Sequence, residues 1–259
     1  MKVLIPFALM TRPPGMTSIR GAAVRMLTSH MTDRPALFVT DKLTDWFKPE
    51  SLEHKGLLVR RTLEGAWDGD IDALGGFKIA GGRIGGHEAL RSTIVNSDDN
   101  LSARLLESVD ELLEMAELPQ SLSEQIRDDA RSIGCTCGSM CPSARELELN
   151  LEIVGEKTCT RWHQDQFVGR AIVSYTGVEG TEYAHDSNVD LWQLKNGGTN
   201  DRIIRDADEI ESVGVGDILF IKGSRFPHGE AGLVHRSPKK RYHEGGRVLN
   251  RLVLKVDVV

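Results

Sequence analysis

The sequence predicts an α+β fold, with a jelly-roll-like antiparallel β core over residues 141–259. A mainly helical amino-terminal region, residues 1–140, packs on that core as part of one integrated domain. Three observations carry this reading. Apolar residues recur at helical spacing between Leu101 and Ile133. At Glu146 the period switches to strict alternation, and from there short apolar runs are separated by turn residues with no helical pattern between them.

Taken in order, residues 3–9 read as a first strand, residues 13–15 (Pro-Pro-Gly) as a turn and residues 19–27 as a short basic helix. The first acidic residue is Asp33, and Lys2, Arg12, Arg20 and Arg25 precede it. Such a start is permitted for an organelle transit peptide, but it lacks a convincing secretory core. A cytoplasmic protein is expected, with a mitochondrial or plastid location as the alternative. The glycine-rich stretch over 65–86 reads as loops. Its Gly81-Gly82-Arg83-Ile84-Gly85-Gly86 run lacks the strand-turn-helix context of a dinucleotide fingerprint, so no such cofactor is expected.

Leu101, Leu105, Val109, Leu112 and Leu113 follow a polar Ser97-Asp98-Asp99-Asn100 start, which predicts an amphipathic helix over 101–118. A second helix is predicted over 123–133, stopped by Gly134. Next, Leu147, Leu149, Leu151 and Ile153 alternate with Glu146, Glu148, Asn150 and Glu152, as in a half-buried strand. Further strands are predicted over 170–175, 191–195, 217–222 and 251–258. Closely spaced short strands of this kind indicate an antiparallel sandwich or barrel rather than a parallel sheet.

At 259 residues and 40% hydrophobic, the chain can bury a substantial core. A net charge of −6 argues against a sequence-independent grip on nucleic acid, which needs clustered cations. The run Lys239-Lys240-Arg241 reads as a solvated loop. No apolar run approaches the roughly 20 residues that span a bilayer, so a soluble protein with a small-molecule partner is expected. Four cysteines suit a reducing compartment. Cys135, Cys137 and Cys141 form a C-x-C-x3-C cluster that Cys159 could complete as a metal site, although the spacing of common zinc folds is absent. Packing as small apolar residues is the simpler reading.

The chemistry-bearing segments are Thr160-Arg161-Trp162-His163-Gln164-Asp165 and Leu233-Val234-His235-Arg236-Ser237-Pro238. In an extended segment residues i and i+2 point the same way, so His163 and Asp165 can share one metal. With a distal histidine they make the two-histidine, one-carboxylate set that holds non-heme iron(II) and leaves positions open for substrate and oxygen. His228 and His235 both compete for the distal place.

This arrangement, with a later arginine, resembles the iron(II)/2-oxoglutarate-dependent dioxygenases. A closer likeness is to a widespread family of unknown function with the pattern C-x-R-F/W-H-x-D, R-hydrophobic-x-x-Y, G-T-E, H-R-S-P and R-L. Here the residues that carry the likeness are Cys159 to Asp165, then Arg170, then Tyr175-Thr176-Gly177 with Gly180-Thr181-Glu182, and finally His235 to Pro238 with Arg251-Leu252. The resemblance implies a cupin-like double-stranded β-helix with His163, Asp165 and His235 as iron(II) ligands; the H-R-S-P match favours His235 over His228. It further implies that Arg251 grips the distal carboxylate of 2-oxoglutarate, that Tyr175 supports it, and that Arg247 is the rival for that contact. A planar guanidinium suits a bidentate carboxylate. Arg170, His228 and Trp162 are the candidate substrate contacts, and His185, Asp186 and Asp190 lie in a polar loop that could cover the site. The implied activity is oxidation of a small, anionic molecule such as an amino or organic acid, with dioxygen as co-substrate. Two alternatives stay open: a cupin-like iron dioxygenase that does without 2-oxoglutarate, and a zinc- or iron-binding homeostasis protein that is not an enzyme.

Overall fold

The computed structural model describes residues 35–74, 78–79, 82–83, 88–97, 99–155 and 158–259. The elements expected over residues 3–27 lie outside the described residues. The chain runs through β1 (Leu37–Thr40), β2 (Gly56–Val59), α1 (Asp68–Leu74), β3 (Lys78–Ile79), β4 (Gly82–Arg83), β5 (Glu88–Val95), α2 (Leu101–Ala116) and α3 (Gln120–Met140). It continues through β6 (Glu146–Val154), β7 (Gly169–Ser174), β8 (Glu182–Ala184), α4 (Leu191–Lys195), α5 (Asn200–Ile203), β9 (Glu211–Ser212), β10 (Ile218–Lys222), β11 (Val234–Arg236) and β12 (Arg251–Val258).

A seven-stranded sheet has the order β1-β2-β10-β7-β12-β6-β5, antiparallel except for the β1–β2 pair. A smaller sheet has the order β11-β8-β9, and an antiparallel bridge between His163 and His235 adds the segment before β7 to its β11 edge. From β6 onward the chain therefore alternates its strands between the two sheets, except that β8 and β9 both join the smaller one. Opposite β6, β12, β7 and β10 lie the His163 segment, β11, β8 and β9, which is the strand order of a double-stranded β-helix.

The large sheet buries both faces. Leu252, Leu254, Val256 and Val258 alternate along β12 and pack, with Leu147, Leu149, Leu151 and Ile153 of β6, against Leu105, Leu112, Ile126 and Ile133 of α2 and α3. Each fully buried side chain of this kind contributes about 1.5–3 kcal/mol. On the opposite face Val253, Ile172, Leu219, Ile221 and Val154 meet Tyr183 of the smaller sheet and Leu233 just before β11. That face is the barrel interior, and it carries the site. The outer face of the smaller sheet buries Trp162, Ala184 and Val234 against Val189, Ile203 and Ile204.

Three differences from the sequence reading have physical causes. First, the described amino-terminal region is not helix alone: β1, β2 and β5 join the large sheet, so the sheet draws on both sides of residue 140. β1 and β2 have four residues each, too few for a period to show, and α1 sits within the stretch read as loops. Second, Gly134 does not stop a helix; α3 runs through it to Met140. A Cβ there would lie 2.6 Å from Leu105 Cδ2, so this glycine allows α2 and α3 to approach closely. Third, residues 191–195 form α4, not a strand, because Asp190 accepts a hydrogen bond from Gln193 N and caps the turn.

Candidate metal centre

His163 and His235 face each other across the barrel wall. Each backbone N–H donates to the other's carbonyl at 3.0 Å, which brings the two rings to 4.4 Å between centroids. Asp165, two residues after His163, points to the same side. His163 Nε2 lies 3.7 Å from Asp165 Oδ1, and His235 Nε2 lies 3.7 Å from Asp165 Oδ2. One ligand atom from each of the three residues falls within 4.8 Å of the others, and among the described residues this is the group that could hold a metal ion.

The tautomers follow from the outer contacts. Nδ1 of His163 is 2.8 Å from the Arg161 carbonyl, and Nδ1 of His235 is 3.0 Å from the Leu233 carbonyl. A carbonyl only accepts, so both Nδ1 atoms carry a proton and both Nε2 atoms face Asp165. Burial pushes the His235 pKa down to about 4, against the pull of Asp165. At neutral pH its ring is neutral, the form that ligates. Asp165 is buried, and its backbone carbonyl accepts from Ser224 N at 2.8 Å. That approach needs Gly223, where a Cβ would lie 2.0 Å from the Phe167 carbonyl oxygen.

The neighbouring motif residues hold these strands together. Arg236 donates to Glu182 at 2.5 Å, both are buried, and the guanidinium stacks 4.5 Å over the Trp162 ring. Trp162 is therefore packing on the outer face of the smaller sheet, not a substrate contact. His228 is exposed in the loop after β10 and stands apart from the cluster. Arg247 is exposed on the turn between Tyr242 and Val248. Tyr175 faces the helices, where its hydroxyl donates to Asp129 at 2.7 Å beside the Arg61–Asp129 pair; it does not enter the barrel. His185 pairs with Glu211 at 2.7 Å, Asp186 with Lys55, and Asp190 caps α4.

The cysteines do not gather around one point. Cys137 and Cys141 are buried in the core, Cys135 is half-buried and Cys159 exposed. Cys135 and Cys137, two apart on α3, project to different sides of it. Burial raises the Cys137 thiol pKa and pushes that of Cys141 to about 11, which keeps both protonated.

Arg251 opens β12 on its barrel-facing side, in line with Val253, Lys255 and Asp257. Its stem packs on Gly177, where a Cβ would lie 2.5 Å from Arg251 Cγ; the φ of +105° there also favours glycine. Among the described residues its guanidinium makes no ion pair, and its contact with Ser174 Oγ is a long 3.5 Å. The carboxylates around it are committed elsewhere: Glu179 to Arg241 at 2.7 Å, Glu182 to Arg236 and Glu152 to Lys255 at 2.6 Å. Burial pushes the Arg251 pKa down to about 10, although Glu179, Glu182 and Glu152 pull it back. Arg251 also lines an open cleft together with Lys239 and Arg241.

Sequence reasoning missed the charged wall of the interior. Asn150 and Glu152 of β6, with Lys255 and Asp257 of β12, are on the barrel-facing side, and three of them are among the buried polar residues. The signal was present as single charged residues alternating inside apolar strands.

The motif-bearing segments, from Cys159 to Leu252, lie within a match to one family model over residues 83–257, described as "Protein of unknown function (DUF1826)". The chain belongs to this family. No curated protein sequence matches it. Among solved structures it is similar to the dioxygenase for auxin oxidation 1 from Arabidopsis thaliana in a 2-oxoglutarate complex, at 10% identity and a TM-score of 0.46, over 86% of this chain and 91% of that one. It is also similar to the rice dioxygenase for auxin oxidation, at 12% identity and a TM-score of 0.41, over 79% and 73% of the two chains. A third similar structure is a Pseudomonas putida prolyl-4-hydroxylase, at 11% identity and a TM-score of 0.33, over 83% and 95%. The strand order given above, and not these likenesses, assigns the fold. Among the described residues no helix is long and apolar enough to cross a membrane.

Proposed function

We propose that the chain is a non-heme iron(II)- and 2-oxoglutarate-dependent oxygenase. The observation that carries this reading is the pairing of two features inside one barrel. Two imidazoles and one carboxylate converge on one point, and a half-buried arginine on the same inner surface lacks an anionic partner among the described residues. The donor set fits iron(II), and three protein ligands leave coordination positions for a chelating co-substrate. A cupin-like enzyme without 2-oxoglutarate would give Arg251 no reason to stay unpaired. A closed structural zinc site would need a fourth ligand, and the cysteines do not supply one.

His163, Asp165 and His235 would hold the iron, which when bound supplies the redox and dioxygen chemistry. The Leu233 and Arg161 carbonyls fix the ring orientations through Nδ1. Arg251 receives the far carboxylate of 2-oxoglutarate as a charge-assisted, bidentate contact. Ile172, Val253, Leu219 and Ile221 form the apolar wall that excludes water between them. The substrate is a small, anionic molecule such as an amino or organic acid, oxidised at one C–H bond.

The test is anaerobic titration of the purified chain with iron(II) and then 2-oxoglutarate, followed by succinate release under air. His163→Ala, Asp165→Ala and His235→Ala each lose metal binding, while His228→Ala keeps it. A wild type that binds iron but gives no keto-acid absorption band would leave a metal protein without the 2-oxoglutarate role. Full iron stoichiometry in the three triad variants would sink the ligand assignment.

A further inference from the structure

Arg170, one of the candidate substrate contacts of the sequence, has none of its nitrogens free. Nε and Nη2 address the two oxygens of Asp257, with Nη2 at 3.0 Å from Oδ2. Nη1 lies 3.3 Å from Oδ2 and 3.5 Å from Oδ1 of Asp165. The ring of Phe167 covers one face of the guanidinium, 4.7 Å from Cζ. Asp257 is itself held, accepting from Asn150 Nδ2 at 3.1 Å. Arg170 on β7 and Asp257 on β12 are direct cross-strand partners, so the pair is built into the sheet register. A substrate carboxylate could bind Arg170 only by displacing one of these two aspartates.

We infer that Arg170 is a positioning residue for Asp165 and that Asp257 is its anchor. This inference rests on the reading of His163, Asp165 and His235 as metal ligands. The guanidinium is a rigid fork, so fixing two of its nitrogens on Asp257 sets the direction of the third. That third nitrogen stands off from both Asp165 oxygens by more than a normal charge-assisted hydrogen bond. It steadies the carboxylate without capturing it, and each oxygen stays turned toward one imidazole. The arrangement also balances charge. Arg170 neutralises Asp257, a second buried carboxylate near the centre, and keeps it from being offered as a fourth ligand. Without the anchoring charge, the fork would turn to Asp165 and compete with the metal for it.

The experiment is cobalt(II) binding to the full chain, read both as Kd and as the visible ligand-field band, in wild type, Asp257→Asn, Arg170→Lys and the double variant. Asp257→Asn raises Kd at least tenfold and shifts the band. Arg170→Lys keeps the charge, loses the fork and also shifts the band. The double variant binds no worse than Asp257→Asn, because both changes act through one contact. Folded single variants with the wild-type Kd and band would reduce the pair to a structural tie and overturn the inference. Should either variant fail to fold, the wild type gives a second reading. The Arg170 Nε–H resonance, identified through its contact with the Phe167 ring, moves on adding one equivalent of zinc(II), and an unmoved resonance overturns the inference. Absence of cobalt binding in the wild type would bring down the triad reading and this one with it. A binding wild type with unmoved variants would bring down this one alone.

Discussion

Arg251→Met removes the guanidinium and keeps the stem that packs on Gly177. In the ligand-free protein this change should stabilise. Burial holds the Arg251 pKa at about 10 against an ordinary 12.5. At 1.36 kcal/mol per pKa unit, that corresponds to a penalty on the order of 3 kcal/mol. At neutral pH the group is charged both folded and unfolded, so the whole penalty is present. After allowing for the lost Ser174 contact, the variant without ligand gains about 1–2 kcal/mol, or roughly 2–4 °C in Tm for each kcal/mol in a chain of this size. With 2-oxoglutarate the order reverses. Losing a charge-assisted bidentate contact costs about 2–4 kcal/mol of binding, a tens- to hundreds-fold rise in Kd. Thermal unfolding of manganese(II)-loaded protein across a 2-oxoglutarate series measures both effects, since a bound ligand stabilises by RT ln(1 + [L]/Kd). A variant that is less stable without ligand, yet stabilised at the same 2-oxoglutarate concentrations as wild type, would make Arg251 a structural residue and remove the co-substrate contact from the proposal.

Two further predictions test features outside the metal cluster. Tyr175→Phe removes a donor from buried Asp129, which keeps its contact with Arg61; it should cost about 1 kcal/mol in urea unfolding and leave 2-oxoglutarate affinity unchanged, whereas a tens-fold loss of affinity would return Tyr175 to the co-substrate. Lys222 is buried beside Phe226 with the Ser51 carbonyl as acceptor, and burial pushes its pKa down from 10.5 to about 8. The unfolded chain therefore holds this proton more tightly, and wild-type stability should rise as pH climbs from about 8 toward 10.5. Lys222→Met should be more stable than wild type at pH 7 by about 1–2 kcal/mol, an advantage that shrinks by pH 9.5. A difference that stays constant with pH would remove Lys222 as its cause.

How much was legible in the sequence depends on how far each signal reaches along the chain. The period-2 run of β6 and the 3.6-period run of α2 are long enough to identify themselves, and the elements formed over Glu146–Val154 and Leu101–Ala116. His163 and Asp165 were legible for the same reason, since one extended segment carries both. By contrast, β8, β9 and β11 have only two or three residues each and are held by pairing partners far away in the chain, so no local pattern marks them. The pattern over 191–195 fits a strand until the Asp190 cap is known, and Gly134 reads as a stop until Leu105 is seen against it.

The subtler miss concerns which face of a strand carries function. In an isolated strand the polar side is assigned to water, so Asn150 and Glu152 read as solvated residues. In a closed barrel that side turns inward, and the charges survive there only by pairing: Glu152 with Lys255, Asp257 with Arg170 and Asn150. The same parity rule separates Tyr175 from Arg251, which the motif pattern had grouped. The face of β12 that carries Arg251 looks into the barrel, while the Tyr175 ring lies in the core between the sheet and α3. Once the paired charges are set aside, Arg251 is left in the interior without a carboxylate among the described residues. A half-buried cation in that state is costly until an anion arrives, and this is why the co-substrate reading turns on a single side chain.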